Sequence, residues 1–177
     1  TKQFGTSEND GGHGVTVDSA GNIYVVGETN KGLDGNTHIG GRDAILIKYN
    51  SAGTKQWTKQ FGTSSNDDGF GVTVDSAGNI YVTGATYATL DGNTKIGGWD
   101  VYLIKYNSAG TKQWAKQFGS TTNDFGYGLK ADSAGNIYVT GTASRGMYGN
   151  THYGSYDIFL AKYNSAGTKQ WTKQLGT

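Results

Sequence analysis

The sequence predicts an all-β protein made of three four-stranded antiparallel repeats of 57 residues, arranged as β-propeller blades. The segment Thr1–Gly5 returns as Thr58–Gly62, as Ala115–Gly119 and as Thr172–Gly176, with no insertion between copies. Glycine accounts for 30 of the 177 residues and proline is absent, a composition typical of short strands joined by tight turns. No segment carries a sustained helical period, so essentially no helix is expected.

The first half of each repeat is expected to form a β-hairpin. In the first copy, strand one is predicted at Gly14–Asp18 and strand two at Asn22–Gly27. The turn between them contains Gly21 at a position suited to positive φ. A long loop then runs to Arg42, at the start of the second half.

The second half is expected to be another hairpin, with strand three at Asp43–Tyr49, a turn at Asn50–Thr54 and strand four at Lys55–Phe61. Strand three is mostly apolar on both faces, which predicts that both faces are covered. Strand four alternates lysine and aromatic side chains with glutamine and threonine, as a half-buried edge strand does. This combination is typical of a propeller blade, and a β-solenoid or a β-sandwich is the alternative.

The chain is predicted to be one repeat domain, with blades at about 1–57, 58–114 and 115–171 and a partial strand at 172–177. Propellers typically have four to eight blades, so three blades leave two apolar faces open. Either two chains close a six-bladed ring as a homodimer, or the chain is a fragment of a longer repeat array. Both ends of the chain repeat part of strand four, so they would compete for one position in such a dimer.

The repeat resembles the bacterial SBBP family, whose name stands for seven-bladed β-propeller repeat. The shared pattern stands at residues 14–27, 33–37 and 43–57 and recurs 57 and 114 residues later, so it covers the whole chain. The third copy departs from it at Leu129–Ala131 and at Met147–Tyr148. The resemblance implies a propeller fold and an extracellular or cell-envelope location in a bacterium, with a role in adhesion or scaffolding.

The composition argues against several classes of partner and cofactor. The formal net charge is +1 and no basic stripe occurs, so nucleic acid and anionic membrane are poor partners. No apolar run approaches about 18 residues, so membrane insertion is not expected. Cysteine is absent, which excludes disulfides and thiolate metal sites. The Gly-x-Gly stretches lack a following helix or lysine, and no cofactor is predicted.

The candidate binding residues are positions that differ between the copies at one end of the blades. The two short turns are identical in all copies, whereas the two long loops vary and should lie at the same end of a four-stranded meander. Flat rings beside polar groups can stack on sugar faces or anchor a protein; alternatively, they pack against the next blade. Two repeat positions in these loops stand out: His13, Phe70 and Tyr127 share the first, and Arg42, Trp99 and Tyr156 share the second.

Recurring acidic residues predict neither a metal site nor catalysis. Asp43, Asp100 and Asp157 open strand three in every copy and are expected to accept backbone N–H groups. Tyr148 stands where the first copy has Asp34, so a calcium site in every blade is not expected. The three histidines form no triad and no metal-binding pattern, and no catalytic residue is predicted.

The function expected from the sequence is non-enzymatic: an extracellular or envelope propeller segment that presents varied loops to a glycan or a protein. The first alternative is a purely structural spacer that holds other domains apart. The second is a hydrolase with aspartates near the ring axis, which a cluster of aspartates with raised pKa at a central channel would favour.

Overall fold

The structure is a computed structural model and describes residues 3–177. Within this range the chain forms three four-stranded antiparallel sheets and no helix, which confirms the all-β repeat architecture. No helix among these residues is long and apolar enough to cross a membrane. Blade 1 contains β1 (Asp10–Val17), β2 (Ile23–Thr29), β3 (Asp43–Tyr49) and β4 (Lys55–Phe61); blade 2 contains β5 (Asp67–Val74), β6 (Ile80–Thr86), β7 (Asp100–Tyr106) and β8 (Lys112–Phe118); blade 3 contains β9 (Asp124–Ala131), β10 (Ile137–Ala143), β11 (Asp157–Tyr163) and β12 (Lys169–Leu175).

Each sheet is a meander in which every strand pairs with the next one along the chain. The short turns have the expected geometry: Gly21 has a φ of 79°, and its N–H donates to the Asp18 carbonyl at 3.0 Å. The Asp18 carboxylate also accepts the N–H of Asn22 at 2.8 Å. Gly53, with a φ of 74°, makes the equivalent bond to Asn50. These turns lie at one end of each sheet, so the long loops meet at the other end.

Strand one is longer than the sequence pattern indicated. β1 begins at Asp10 rather than at Gly14, because residues 10–12 pair with β2 although their glycines carry no apolar pattern. The ladder shifts register between Gly12 and Gly14, so His13 is the extra residue of a β-bulge. The expectation that this repeat position lies in a loop was therefore wrong: His13, Phe70 and Tyr127 lie inside β1, β5 and β9.

The three sheets stack face to face in chain order. One buried apolar cluster joins Leu46 of β3 to Val72 of β5, and a second joins Leu103 of β7 to Val139 of β10. The first strands β1, β5 and β9 contact one another in succession and make most of the contacts between sheets. In the central blade, β7 is buried on both faces apart from Lys105, as the pattern of strand three predicted. Converging first strands and covered central strands are the arrangement of propeller blades.

The sheets divide the chain at different places from the sequence repeat. β4 ends at Phe61 and pairs with β3, so residues 58–61 belong to the first sheet. A repeat counted from Thr1 would assign these residues to the second unit. The sheets span residues 10–61, 67–118 and 124–175.

Candidate functional site

The loop end of the molecule consists of the β2–β3 loop of each blade and the connection that leads to the next blade. Backbone hydrogen bonds join the two across each blade boundary. The Asp67 N–H donates to the Arg42 carbonyl at 2.8 Å, and the Asp124 N–H donates to the Trp99 carbonyl at 2.7 Å. The β2–β3 loops of blades 1 and 2 are therefore fixed against the blade that follows, and so are the residues that come just before strand three in these blades.

The first repeat position forms a short column of rings. His13, Phe70 and Tyr127 lie on successive first strands, and the ring centroids are 5.4 Å apart both from His13 to Phe70 and from Phe70 to Tyr127. Each of these residues is the extra residue of a bulge, a feature that re-aims a side chain. The flanking glycines allow the strands to approach, because a Cβ on Gly71 would lie 2.8 Å from the Tyr127 carbonyl oxygen.

The second repeat position contacts the following blade, and each boundary uses different chemistry. Arg42 donates from Nε and Nη2 to the two carboxylate oxygens of Asp68, both at 2.9 Å. Trp99 instead faces Phe125, with ring centroids 5.9 Å apart and an interplanar angle of 33°. Asp68 and Phe125 occupy the same repeat position, so each contact pair is chemically matched. Tyr156, on the last blade of the chain, is 52% exposed.

Phe125 joins the two repeat positions into one aromatic surface. Its ring is nearly parallel to that of Tyr127, at 6° and 6.2 Å between centroids, and it also contacts Trp99. Tyr87 extends the row through an edge contact to Trp99 at 5.5 Å. We call the row of Tyr87, Trp99, Phe125 and Tyr127 the aromatic ribbon. Tyr87 and Phe125 were not predicted as site residues; the one signal in the sequence was that their repeat positions differ in every copy.

A shallow depression of about 390 Å³ lies at the blade 3 end of the aromatic ribbon. It is lined by Phe125, Tyr127, Thr142 and Tyr156, so its surface is three aromatic rings and one threonine side chain. Tyr127 is 50% exposed and Tyr156 is 52% exposed, and they come from the two repeat positions that the sequence suggested separately. Such a lining can stack on a flat ring and hydrogen-bond its polar substituents.

The two predicted residues of blade 1 each face a carboxylate, whereas the aromatic ribbon consists of neighbouring rings. His13 Nε2 lies 2.5 Å from Glu28 Oε2, and Arg42 is held by Asp68. The six predicted residues therefore fall into three groups. His13 and Arg42 face charged partners, Phe70 and Trp99 are half-buried between neighbouring rings, and Tyr127 and Tyr156 are exposed.

The aspartates that open strand three hold the preceding loop, as the sequence predicted. Asp43 Oδ2 accepts the Ile39 N–H at 2.8 Å and the Gln60 Nε2–H at 2.7 Å. Asp100 and Asp157 make the same two bonds in blades 2 and 3. These carboxylates fix the geometry of the β2–β3 loops and so position the residues of the second repeat position.

A second set of buried aspartates opens strand one. Asp124 Oδ2 accepts the Ser120 N–H at 2.6 Å, and Asp67 accepts the Thr63 N–H in the same way. Burial raises the pKa of Asp124 to about 6, and the nearby Asp100 adds to this rise. Burial also raises the pKa of Asp67. Within residues 3–177, no group of three or more histidine, cysteine, aspartate or glutamate side chains is placed to hold a metal ion.

The sequence matches the SBBP family, described as a β-propeller repeat, in three segments. They comprise residues 1–34, 56–90 and 113–144, more than half of the chain. Each matched segment covers strands one and two of a blade, and the second and third segments also include most of the strand four that precedes them.

Two curated relatives share the repeat at low identity. The chain is 28% identical over 178 residues to the regulatory protein FlaEY of Caulobacter vibrioides, and the match covers 89% of this chain and 19% of that protein. It is also 28% identical over 160 residues to the uncharacterized WD repeat-containing protein L264 of Acanthamoeba polyphaga mimivirus, covering 68% of this chain and 12% of that one. The chain thus spans less than a fifth of either relative.

Two solved structures share the fold. A protein of unknown function from Bacteroides caccae aligns with a TM-score of 0.54 at 12% identity, over 95% of this chain and 47% of that one. A protein of unknown function from Dyadobacter fermentans aligns with a TM-score of 0.58 at 13% identity, over 94% of this chain and 55% of that one. The chain therefore corresponds to about half of each of these structures.

Proposed function

Because the chain belongs to the SBBP family of β-propeller repeats, we propose that it is a non-enzymatic binding module that holds a glycan against the aromatic ribbon. One observation carries this proposal: the ribbon is a continuous row of four rings that ends in the depression beside Tyr156. The ribbon lies at the end of the blades where the copies differ, whereas the short turns at the other end are the same in all three.

The chemistry of the depression favours a neutral sugar. A pyranose ring has an apolar C–H face, which stacks on an aromatic ring, and a rim of hydroxyl groups, which need hydrogen-bond partners. Tyr127 and Tyr156 offer exposed rings, and their phenol groups, with the Thr142 hydroxyl, offer those partners. The charged groups near the ribbon lie outside the depression: Lys95 Nζ sits 4.6 Å from the centroid of the Tyr87 ring, at the opposite end.

The carboxylates support a binding role over hydrolysis. A glycoside hydrolase needs two carboxyl groups that reach the substrate. Asp67 and Asp124, whose pKa values are raised, are buried and accept backbone N–H groups of the connecting segments. The relative from Caulobacter is named a regulatory protein, which is also compatible with binding rather than catalysis.

The cellular location proposed with this function is extracellular or on the cell envelope of a bacterium. It follows from what the resemblance to the SBBP family implies. Fractionation of the producing cells, followed by detection of the chain with an antibody, is the measurement that decides it. Recovery in the soluble cytoplasmic fraction would reject this location without affecting the glycan proposal.

Glycan binding can be tested with a glycan array followed by calorimetric titration of the best ligand. The double variant Tyr127→Ala/Tyr156→Ala should weaken binding by at least about tenfold, or roughly 1.4 kcal/mol, because it removes both exposed rings of the depression. Tyr153→Ala is the matched control, since Tyr153 is a 49% exposed tyrosine that does not line the depression. All three proteins should melt at similar temperatures.

Each outcome decides between the candidate functions. Equal glycan affinity of the double variant and the wild type would reject the aromatic ribbon as the site. If no glycan binds but a protein partner loses affinity for the double variant, the ligand is a protein. If neither class of ligand binds, the structural spacer replaces the binding module as the function.

A further inference from the structure

Each end blade exposes part of a sheet face that is covered in the other blades. On blade 1 the exposed part is β1, because Ile45 and Ile47 of β3 are already buried in one cluster with Leu33. We call the face of a blade toward the following blade its front face and the opposite one its back face. Leu46 and Leu103 lie on the front faces of blades 1 and 2 and are fully buried. On blade 3, the equivalent Leu160 is 40% exposed and the neighbouring Ile158 is 61% exposed. The front face of blade 3 is therefore an unpaired copy of an interface that the chain forms twice.

The back face of blade 1 is the matching half of that interface. Val72 lies on the back face of blade 2, is 8% exposed and belongs to the same buried cluster as Leu46. Its equivalent on blade 1, Val15, is 67% exposed, and Val17 is 58% exposed. Val15 therefore belongs to the strand that would cover Leu160 if one copy of the chain followed another.

A contact at the turn end of the blades recurs with the same unpaired halves. Lys105 Nζ donates to the Ser165 carbonyl at 3.2 Å, and a Cβ on Gly167 would lie 3.1 Å from the Trp114 ring. The first boundary has the same contacts, from Lys48 to Ser108 and from Trp57 to Gly110. The equivalent residues of a third such contact are present in the two end blades, where they do not meet. Lys162 and Trp171 lie on blade 3, and Ser51 and Gly53 lie on blade 1. Consistent with this, a Cβ on Gly53 would meet no atom within 4 Å.

At the loop end of the molecule, a depression at the start of blade 1 is complementary to the Tyr156 loop of blade 3. This open depression of about 620 Å³ is lined by residues 3–6 and by Glu8, Asn9 and Asp10, and the last three remain if residues 1–6 are removed. Asp10 is the equivalent of Asp67, whose N–H donates to the Arg42 carbonyl in the loop of the preceding blade. In the same arrangement, the Tyr156 loop of another copy would enter this depression. Tyr156 would then face Gly11, which in blades 2 and 3 is replaced by the contact residues Asp68 and Phe125.

We propose that the front face of blade 3 docks on the back face of blade 1 in a second copy of this chain, so that two chains close a ring of six blades. A two-fold axis gives each chain both halves of the interface, and all exposed end faces are then covered. The two proposals share Tyr156, which lines the proposed glycan depression and would lie at this interface, so dimerisation and glycan affinity are measured separately. The docking would place two aromatic ribbons at the same end of one ring.

The N-terminal segment opposes this docking. The Phe4 ring lies 5.8 Å from Tyr49, as Phe118 lies 5.3 Å from Tyr163 at an internal boundary. Leu175 is the corresponding residue at the end of β12 and is 71% exposed. In the dimer, Leu175 and the second copy's Phe4 need the same position against Tyr49. Removal of residues 1–6 should therefore strengthen the dimer.

Sedimentation equilibrium over a wide concentration range tests the docking. The wild type should reach a dimer of twice 18.8 kDa, and the truncated chain should have a dissociation constant at least about tenfold lower. Ile158→Glu should raise the dissociation constant by at least about tenfold, because it buries a charge in the interface. Ile39→Glu is the matched control, since Ile39 is 48% exposed in a loop away from both faces, and it should remain dimeric.

Cross-linking checks the orientation of the two copies. Because the chain has no cysteine, a mixture of Ser51→Cys and Lys162→Cys chains should be joined by a short bifunctional maleimide. The double variant Lys105→Cys/Ser165→Cys is the positive control, because it makes the same contact within one chain. A monomer at all concentrations would overturn the proposal and leave further repeats as the occupant of these faces. Open-ended polymers, or a dimer in which only the positive control is cross-linked, would overturn it as well.

Discussion

Arg42 holds Asp68 across the boundary between blades 1 and 2 with two parallel N–H···O hydrogen bonds, both at 2.9 Å. At the next boundary the equivalent residues are Trp99 and Phe125, whose rings are 5.9 Å apart. The ionic pair and the aromatic pair occupy the same place on otherwise similar blades. The residue at the Arg42/Trp99 position and the residue at the Asp68/Phe125 position therefore change together. A cation on the preceding loop faces a carboxylate, and an aromatic ring on the preceding loop faces another ring.

The first prediction is that the two positions are energetically coupled. Arg42→Trp removes the cation beside Asp68, whose side chain is 11% exposed, and Asp68→Phe leaves Arg42 without its carboxylate. Each single change should lower the free energy of unfolding by about 1 kcal/mol. The double change recreates the aromatic pair and should recover most of the loss, with a coupling of about 1 kcal/mol in urea unfolding. Simple additivity of the two single changes would contradict the matched-pair interpretation.

This coupling also explains how much of the structure the sequence could predict. The bounds of Asp43–Tyr49 and Lys55–Phe61 match the prediction because their apolar alternation and flanking turns are local signals. The start of β1 at Asp10 was missed, because strand pairing by glycines leaves no side-chain pattern. The rings of Trp99 and Tyr127 were predicted, but their link through Phe125 depends on blade packing, which no local pattern reports.

Asp124 should make the protein less stable as the pH rises from about 4 to about 6. Burial raises its folded pKa to about 6, above the value of about 3.9 for an unfolded aspartate. The folded state therefore binds the proton more tightly in this window, and the free energy of unfolding falls as the proton is lost. The loss should be on the order of 2 kcal/mol. Asp124→Asn should remove this part of the fall and leave the part due to Asp67, whose pKa burial also raises. Urea unfolding of wild type and variant at pH 4 and pH 7 measures the difference.

Asp132→Asn is the control for the Asp124 experiment, because it should change the pH dependence in the opposite direction. Hydrogen bonds from the Asn136 side chain and backbone lower the pKa of Asp132 below its ordinary value. Its contribution to stability is therefore present above about pH 4 and is lost as the pH falls below that value. If both asparagine variants changed the pH dependence in the same direction, the assignment of the two pKa shifts would be wrong.

Gly84 should not tolerate a side chain. A Cβ at this position would lie 1.9 Å from the Asp68 carbonyl oxygen and 2.7 Å from the Tyr102 hydroxyl, so Gly84→Ala forces β5 away from β6. We expect a loss of at least about 2 kcal/mol in the free energy of unfolding. Gly12→Ala is the control, because its Cβ would meet only Val25 at 3.9 Å and should cost less than about 1 kcal/mol. Thermal melts of both variants decide this, and equal melting temperatures would contradict the close approach.

The last prediction is that a second aromatic ribbon can be built at the first blade boundary. Phe70 already stands where the ribbon has Tyr127, so Asn30→Tyr, Arg42→Trp and Asp68→Phe would supply the three missing rings. If stacking on the ribbon binds a glycan, the triple variant should bind a second equivalent of the same ligand in calorimetric titration. Asn30→Tyr alone is the control and should leave the stoichiometry unchanged, since one ring without its neighbours forms no continuous surface. An unchanged stoichiometry in a correctly folded triple variant would mean that binding requires Tyr156 and the depression, and that the row of rings alone is insufficient.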